Sequence, residues 1–580
     1  MSLPSKSSRF ASQSVVDIQL SCRNLPTGRD PFCVLHRMEA GPRGDNNSTN
    51  NRSAVGRIMS EQGFGYNSVP MPPPLPALHE RELGRTEVVL QCCHPDFEVS
   101  FRIEYRFEEE HYFCVRCYSE KTEDLQLQGH EFLGGFYFNM GQLLGAIGNT
   151  LCMPLLMNQS GRMHPTSTSS YCFVRASPTK DSSEVLRFQL KAQKLKKDGF
   201  FGQKYMNPFY MIQVLGPDRK SWGTLLQSSV ARNTQNPIWD IDEISMQRLS
   251  DGDYNRVVRI QIMSLPADGG PPQDIGGVAM SVNELLRIPN TYEVLRATRK
   301  GENKPSGVLH VVTADILNRP NMVDYITGGC EISLMVAVDF TISNGPPYEE
   351  SSLHYRNGKS RNEYQQAIVK IGGIIENYAT NKTFPIWAFG AKINHIKQDC
   401  LRLRGSGPGI DGLLDAYDKA FEIPGFDLSG PTNFLPVLRA AAQTAQANQS
   451  ERKQCYSVLV ILTDGVIADM EQTVDMICRI SETAPLSIII VGVGKADFRK
   501  MEQLDSDDGI LRDSKGQAAE RDIVQFVPFR KYSTNSDKLA TEVLQEIPKQ
   551  LVGFFQARNI KPNPPVPMPL FPLEETSNMN

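Results

Sequence analysis

The chain has 580 residues, 40% of them hydrophobic and 22% charged, with a formal net charge of −4. That length is more than one hydrophobic core serves, so three or four domains are expected from the usual domain size. The slight acidic excess excludes wholesale nucleic-acid binding, which needs a basic footprint to displace counterions.

The first residues, MSLPSKSSRFASQSVV, lack the apolar core of a signal peptide. The longest apolar runs, 334–338 and 488–493, are too short to span a bilayer and have the length of buried parallel strands. A cytoplasmic protein is expected. Its twelve cysteines show no framework spacing and are read as reduced. Cys114 and Cys117 mimic a C-x-x-C pair, but YFCVRCY reads as a strand, which points them to opposite faces.

Residues 10–152 contain short alternating runs (SVVDIQLSC, TEVVLQC, VSFRIEYRF, HYFCVRCYS) separated by turn clusters, the pattern of an antiparallel β-sandwich. A low-complexity stretch at about 41–82, including GPRGDNNSTNNRS and VPMPPPLPAL, is expected to be a disordered loop. A second β region, 165–300, carries EVLRFQLKAQ, PFYMIQVLG and NRVVRIQIMS. It repeats landmarks of the first in the same order. Asp30-Pro31, His94-Pro95 and His130–Gly134 are matched by Asn207-Pro208, Asn236-Pro237 and Gln273–Gly276, which predicts a duplicated domain. Residues 306–556 alternate strands with helical stretches such as NEYQQAIVKIGGIIENYA, so an α/β doubly wound parallel sheet is expected. The proline-rich residues 557–580 are expected to be extended and mobile.

Ligands in such sheets bind at the carboxyl ends of the strands. Those ends read Asp339-Phe-Thr341-Ile-Ser343, a loop with Ser429-Gly-Pro-Thr432-Asn433, and Thr463-Asp464-Gly465. Asp339, Thr341, Ser343, Thr432 and Asp464 are all oxygen donors, which suits Mg²⁺ or Mn²⁺. With only two carboxylates and neutral hydroxyls, a bound metal keeps the capacity to accept an outside carboxylate. Singly, Asp339 or Thr432 reads as a helix cap; the five together point to a metal site.

The pattern D-x-[ST]-x-S … T … D resembles the von Willebrand factor A-type domain. The stretches VAVDFTISNGPP, ESSLHY, NEYQQAI, SGPTNF, ILTDGVIADM and RDIVQFVPFR resemble copines, which carry two C2 domains before that domain. The resemblance implies calcium-dependent phospholipid binding by the C2 pair and metal-dependent recruitment of a protein partner through an acidic residue. It also implies an intracellular, non-enzymatic adaptor, peripheral at the plasma membrane or endomembranes. A metal-dependent hydrolase or phosphotransferase on the same site is the alternative, but the three metal loops hold no histidine or lysine to serve as base.

The chain departs from the family in its calcium ligands. A calcium-binding C2 module needs about five Asp carboxylates in two loops, because Ca²⁺ takes six to eight oxygens. The first module keeps Asp30, but Ser119 and Lys121 stand in the paired-Asp places and Glu131 in the last. The second offers Asp198, Asp268 and Asp274, with Asn207, Ser264 and Pro266 at other ligand places. Calcium binding is therefore weakened in both. Lys196, Lys197, Phe200, Phe201 and Lys204 form a basic, aromatic loop suited to an anionic phospholipid surface. His94, His130 and His354 stand apart from other ligand types and read as core or turn residues.

Overall fold

The computed structural model describes residues 14–40, 78–159, 162–165, 170–179, 183–196, 206–216, 221–266, 270–297, 302–356, 358, 360–450, 453–505, 510–532 and 536–567. Two compact units emerge: Met1–Pro178 with Met322–Asn580, and Thr179–Asn321. The architecture is two antiparallel β-sandwiches followed by a doubly wound α/β domain.

In the first sandwich, alternation decides which side chains face inward. Along Ser14–Arg23, Val16, Ile18, Leu20 and Cys22 are buried in the core, while the residues between them point outward. This strand lies between Asp96–Tyr105 and Tyr171–Pro178, with Thr150–Pro154 at the edge. The opposing sheet runs Leu78–Arg85, Pro31–Ala40, Tyr112–Ser119, Glu131–Asn139, Leu156–Gln159 and Arg162–Pro165.

Two expectations need correction here. Leu78–Arg85 is a strand paired with Pro31–Ala40, so the insertion expected to reach residue 82 ends sooner. Its sequence, LHERELGR, has no apolar alternation because charged cross-strand pairs line it. Arg81 meets Glu39 at 3.1 Å, and Arg116 meets Glu80 at 2.7 Å. Residues 41–77 lie outside the described residues. Second, Tyr171–Pro178 pairs with Ser14–Arg23 and closes the first sandwich, which extends past 152 into the range assigned to the second.

The Thr179–Asn321 unit is a continuous eight-stranded antiparallel sheet folded on itself. The sixteen-residue strand Asn303–Asn318 shifts register near Val294/Leu295 and Gln189/Leu190, and so pairs with both Asn290–Ala297 and Glu184–Gln193. It belongs to this sandwich, not to the α/β domain expected to begin at 306. Trp239 and Tyr210 meet edge to face at 5.1 Å in its core. Ser281 caps the short helix Val282–Leu286 in a capping box with Glu284. Ser281→Ala is expected to lower stability by about 1 kcal/mol, read as a shift of the urea midpoint.

The α/β sheet has the order Leu401–Leu403, Ile386–Phe389, Glu331–Asp339, Cys455–Thr463, Leu486–Gly492, Val524–Pro528. All its pairs are parallel except the edge pair with Leu401–Leu403. Its central strands read as unbroken apolar runs because both faces are covered. Leu334, Val336 and Val338 pack into one core, while Met335 and Ala337 pack into another beneath Leu435–Asn448. The helix Glu363–Ile375 starts at Asn362, whose side chain accepts from the Gln365 amide in a capping box.

Within the larger unit, the helix Met140–Gly145 of the first sandwich packs on the turn Glu376–Tyr378. The hydroxyls of Tyr105 and Tyr378 hydrogen-bond there, and the Phe107 ring packs tilted against Tyr378 at 5.0 Å. The start of the tail is fastened, contrary to its expected mobility. Gln454 Nε2 donates to the Lys561 carbonyl at 2.6 Å, and the Val566 amide donates to Thr327 at 3.1 Å. Among the described residues, no helix is long and apolar enough to cross a membrane.

Candidate metal centre

Parallel pairing of Glu331–Asp339 with Cys455–Thr463 brings Asp339 and Asp464 to one edge of the sheet. Asp339 is fully buried. Its Oδ1 accepts from the Thr341 amide at 2.9 Å, and its Oδ2 accepts from Thr463 Oγ1 at 2.6 Å. Both oxygens are thereby aimed, and the carboxylate acts from behind the loop.

In front of it, three oxygens converge. Thr341 Oγ1 and Ser343 Oγ are 2.9 Å apart, Ser343 Oγ donates to Asp464 Oδ1 at 3.0 Å, and Thr341 Oγ1 lies 3.4 Å from the same atom. An octahedron with metal–oxygen bonds of 2.0–2.1 Å has edges of about 3.0 Å, so this triangle has the dimensions of one face of a Mg²⁺ or Mn²⁺ site. Ser343 is exposed, which leaves the face open to solvent.

The third loop is drawn in by backbone pairing. The Ile342 amide donates to Ser429 at 2.8 Å, and Thr341 bridges Ser429 in parallel fashion. Thr432 Oγ1 and Ser343 Oγ lie 3.7 and 3.8 Å from the point a Cβ on Gly465 would occupy, so the glycine keeps that space clear. Thr432 does not cap the helix that follows. Asp469 does, accepting from the Phe434 and Leu435 amides at 2.9 and 2.8 Å.

Electrostatics favour a cation. Burial, and secondarily the Asp464 charge, push Asp339 up to about 6, and burial also raises Asp464. Two carboxylates are crowded where a divalent ion would relieve both, so the donor set fits Mg²⁺ or Mn²⁺.

Sequence reasoning missed the groups that hold the loop. His354 stacks between Phe340 and Tyr364 at 4.9 and 4.6 Å. Burial drives its pKa down to about 3, so it is neutral. Its Nε2–H donates to the Asp339 carbonyl at 3.0 Å, and its Nδ1 accepts from the Tyr417 hydroxyl at 2.8 Å. Asn344 Nδ2 donates to the Thr341 carbonyl at 3.2 Å while its Oδ1 accepts from Tyr364 at 2.6 Å. The only signal in the sequence was an isolated histidine in SSLHY.

The calcium candidates stand differently. In the first sandwich, Asp30 Oδ1 accepts from the Gln91 amide at 2.8 Å. Glu131 is bound by Arg29 at 2.9 Å and Lys121 at 3.0 Å, so protein cations take the place a calcium loop reserves for the ion. These residues do not fit Ca²⁺. In the second, Asn207 ties two loops together, donating to Leu265 at 3.1 Å and accepting from the Asn233 amide at 3.0 Å. The exposed Asp274 accepts from the Gly276 amide at 3.0 Å and from Gln261. Lys196 is exposed. Asp198, Asp268, Lys197, Phe200, Phe201 and Lys204 lie outside the described residues.

Comparison with known proteins identifies the modules. A copine family profile matches residues 352–563, and a C2-domain profile matches residues 77–155 and 186–296. Copine-A of Dictyostelium discoideum is 34% identical over 496 residues, covering 83% of this chain and 80% of that protein. Copine-B of the same organism is 32% identical over 493 residues, covering 83% and 90%. The VWA domain of SpRpn10 matches 34% of this chain and 87% of its own at 14% identity, with a TM-score of 0.24, too low to carry weight. Aligned with Copine-A and Copine-B over most of their length and its own, and carrying C2 modules before the α/β domain, this chain belongs to the copine family.

Proposed function

We propose that this chain is a peripheral membrane adaptor. Its C2 modules meet anionic phospholipid at the cytoplasmic face of a membrane, and its A-type domain recruits a protein partner through an acidic residue. The observation that carries the reading is the triangle of Thr341, Ser343 and Asp464 oxygens with Asp339 behind it. Thr341, Ser343, Thr432 and Asp464 would hold Mg²⁺ or Mn²⁺, and the ion supplies a Lewis-acidic position for a carboxylate from outside. Asp339 adds its charge from directly behind, each oxygen already accepting one hydrogen bond, so only two carboxylates serve the ion, which preserves affinity for an outside carboxylate.

Ile342, between Thr341 and Ser343, and Val466, two residues past Asp464, are 75% and 45% exposed. A partner whose acidic residue is flanked by apolar side chains would cover them. Against the hydrolase alternative, the histidine beside the loop, His354, is neutral, buried and hydrogen-bonded at both nitrogens.

Membrane docking in this reading is not gated by calcium at the first module, where Arg29 and Lys121 neutralise Glu131. It is led by Lys196, Lys197 and Lys204 with Phe200 and Phe201, each lysine contributing about 1 kcal/mol near an anionic leaflet. Asp198, Asp268 and Asp274 are too few for tight calcium binding on their own. The test is sedimentation with phosphatidylserine vesicles in calcium or EGTA. Equal pelleting in both, lost in high salt, is expected. Pelleting only in calcium would sink the calcium-independent part, and no pelleting in either would sink membrane docking itself.

A further inference from the structure

Four cysteines from four different strands meet inside the first sandwich. Cys22 and Cys172 face each other across one sheet, in the register of Ser14–Arg23 with Tyr171–Pro178. Cys33 and Cys117 face each other across the other, in the register of Pro31–Ala40 with Tyr112–Ser119. All four are completely buried. The sulfurs of Cys22 and Cys33 stand 3.8 Å apart, and those of Cys22, Cys33 and Cys117 all lie within 4.8 Å of one another. Cys172, directly opposite Cys22 in the sheet, borders this trio.

We infer that Cys22, Cys33, Cys117 and Cys172 form a structural zinc site that joins the two sheets of the first sandwich. Zinc in an all-cysteine site is tetrahedral with bonds of 2.3 Å, which sets its sulfurs about 3.8 Å apart. The Cys22–Cys33 separation already has that value, the Cys117 sulfur needs to close by at most about 1 Å, and the Cys172 sulfur, which stands outside that trio, has farther to move to complete the tetrahedron. A disulfide between Cys22 and Cys33 would need sulfurs at about 2.05 Å. Ligands that are all thiolates select zinc over the hard cations suited to the oxygen site at Asp339.

Chemistry and position agree. As each sulfur–zinc bond forms, the thiol proton leaves to solvent. The cluster lies just beneath Asn24, Asp30 and Ser119, at the loop end of the sandwich. Arg29 and Lys121 neutralise Glu131 at that end. Zinc below the loops would staple them where calcium above them is not held.

The test uses the full chain, purified under reducing conditions without chelator. Elemental analysis is expected to find one zinc per chain that survives gel filtration. Asp339→Asn should retain it, which separates this site from the oxygen site. Cys117→Ser and Cys172→Ser should each reduce it at least tenfold. Because those variants can fail to fold, the unmodified chain is also refolded with Co²⁺. Thiolate-to-cobalt charge-transfer bands and intense tetrahedral d–d bands are expected, and a mercurial should release zinc from the native chain. Zinc below a tenth of an equivalent, iron in its place, cysteines that prove to be disulfides on thiol titration, or a cobalt spectrum without thiolate bands would each overturn the assignment.

Discussion

Asp339→Asn is expected to abolish the rise in thermal stability that Mg²⁺ confers on this chain, while leaving the A-type domain folded. The amide is isosteric, and its oxygen can still accept from the Thr341 amide, as Asp339 Oδ1 does at 2.9 Å. Thr463 Oγ1 donates to Asp339 Oδ2 in the native chain and can rotate to accept from the new NH₂ group. What disappears is the charge. Without metal that loss is tolerated, because burial and the Asp464 charge already work against ionised Asp339. With metal at one hundred times its Kd, binding stabilises the native chain by about 2.7 kcal/mol. For a domain of this size that is a shift of roughly 5–10 °C in Tm. Thermal scans with and without Mg²⁺ read it directly. An equal shift in the variant would rule Asp339 out of the site, and an acidic, apolar-flanked peptide that bound both proteins equally would remove the metal from recognition.

Gly145→Ala is the second large effect, and it falls on the contact between the first sandwich and the α/β domain. A Cβ on Gly145 would overlap the Asn377 carbonyl, a backbone atom that cannot rotate aside. Relief requires the Met140–Gly145 helix to lift from the Glu376–Tyr378 turn, which exposes Phe107 and breaks the pairing of Tyr105 with Tyr378. Overpacking of this kind costs about 1–3 kcal/mol before the apolar surface is counted. Calorimetry should show one shared transition of the larger unit splitting in two. An unchanged single transition at the original temperature would mean that the contact contributes nothing to stability.

Much of the fold was legible because its elements announce themselves locally. The apolar runs around 334–338 and 488–493 are strands buried on both faces, and the capped periodic stretch after Asn362 is a helix. The convergence of the three oxygen-bearing loops was legible too, because a parallel sheet puts every strand's carboxyl end on one edge. Leu78–Arg85 was not, because its stabilising contacts are charged pairs with Glu39 and Arg116 that leave no apolar pattern. Tyr171–Pro178 and Asn303–Asn318 were assigned to the wrong neighbours, because each is a return strand whose partner lies far back in the chain.

Local residue order was therefore enough to establish the succession of two β modules and one α/β domain, and the identity of five oxygen donors at one sheet edge. Folding in three dimensions decided the rest. It set the triangle of Thr341, Ser343 and Asp464 oxygens and the neutral His354 behind it. It also placed Arg29 and Lys121 on Glu131, and four scattered cysteines in one core. The physical reason is common to all of these. Periodicity reports which face of its own element a residue occupies, whereas a metal site, an ion pair or a thiol cluster depends on distances between elements, which only sheet register and packing determine.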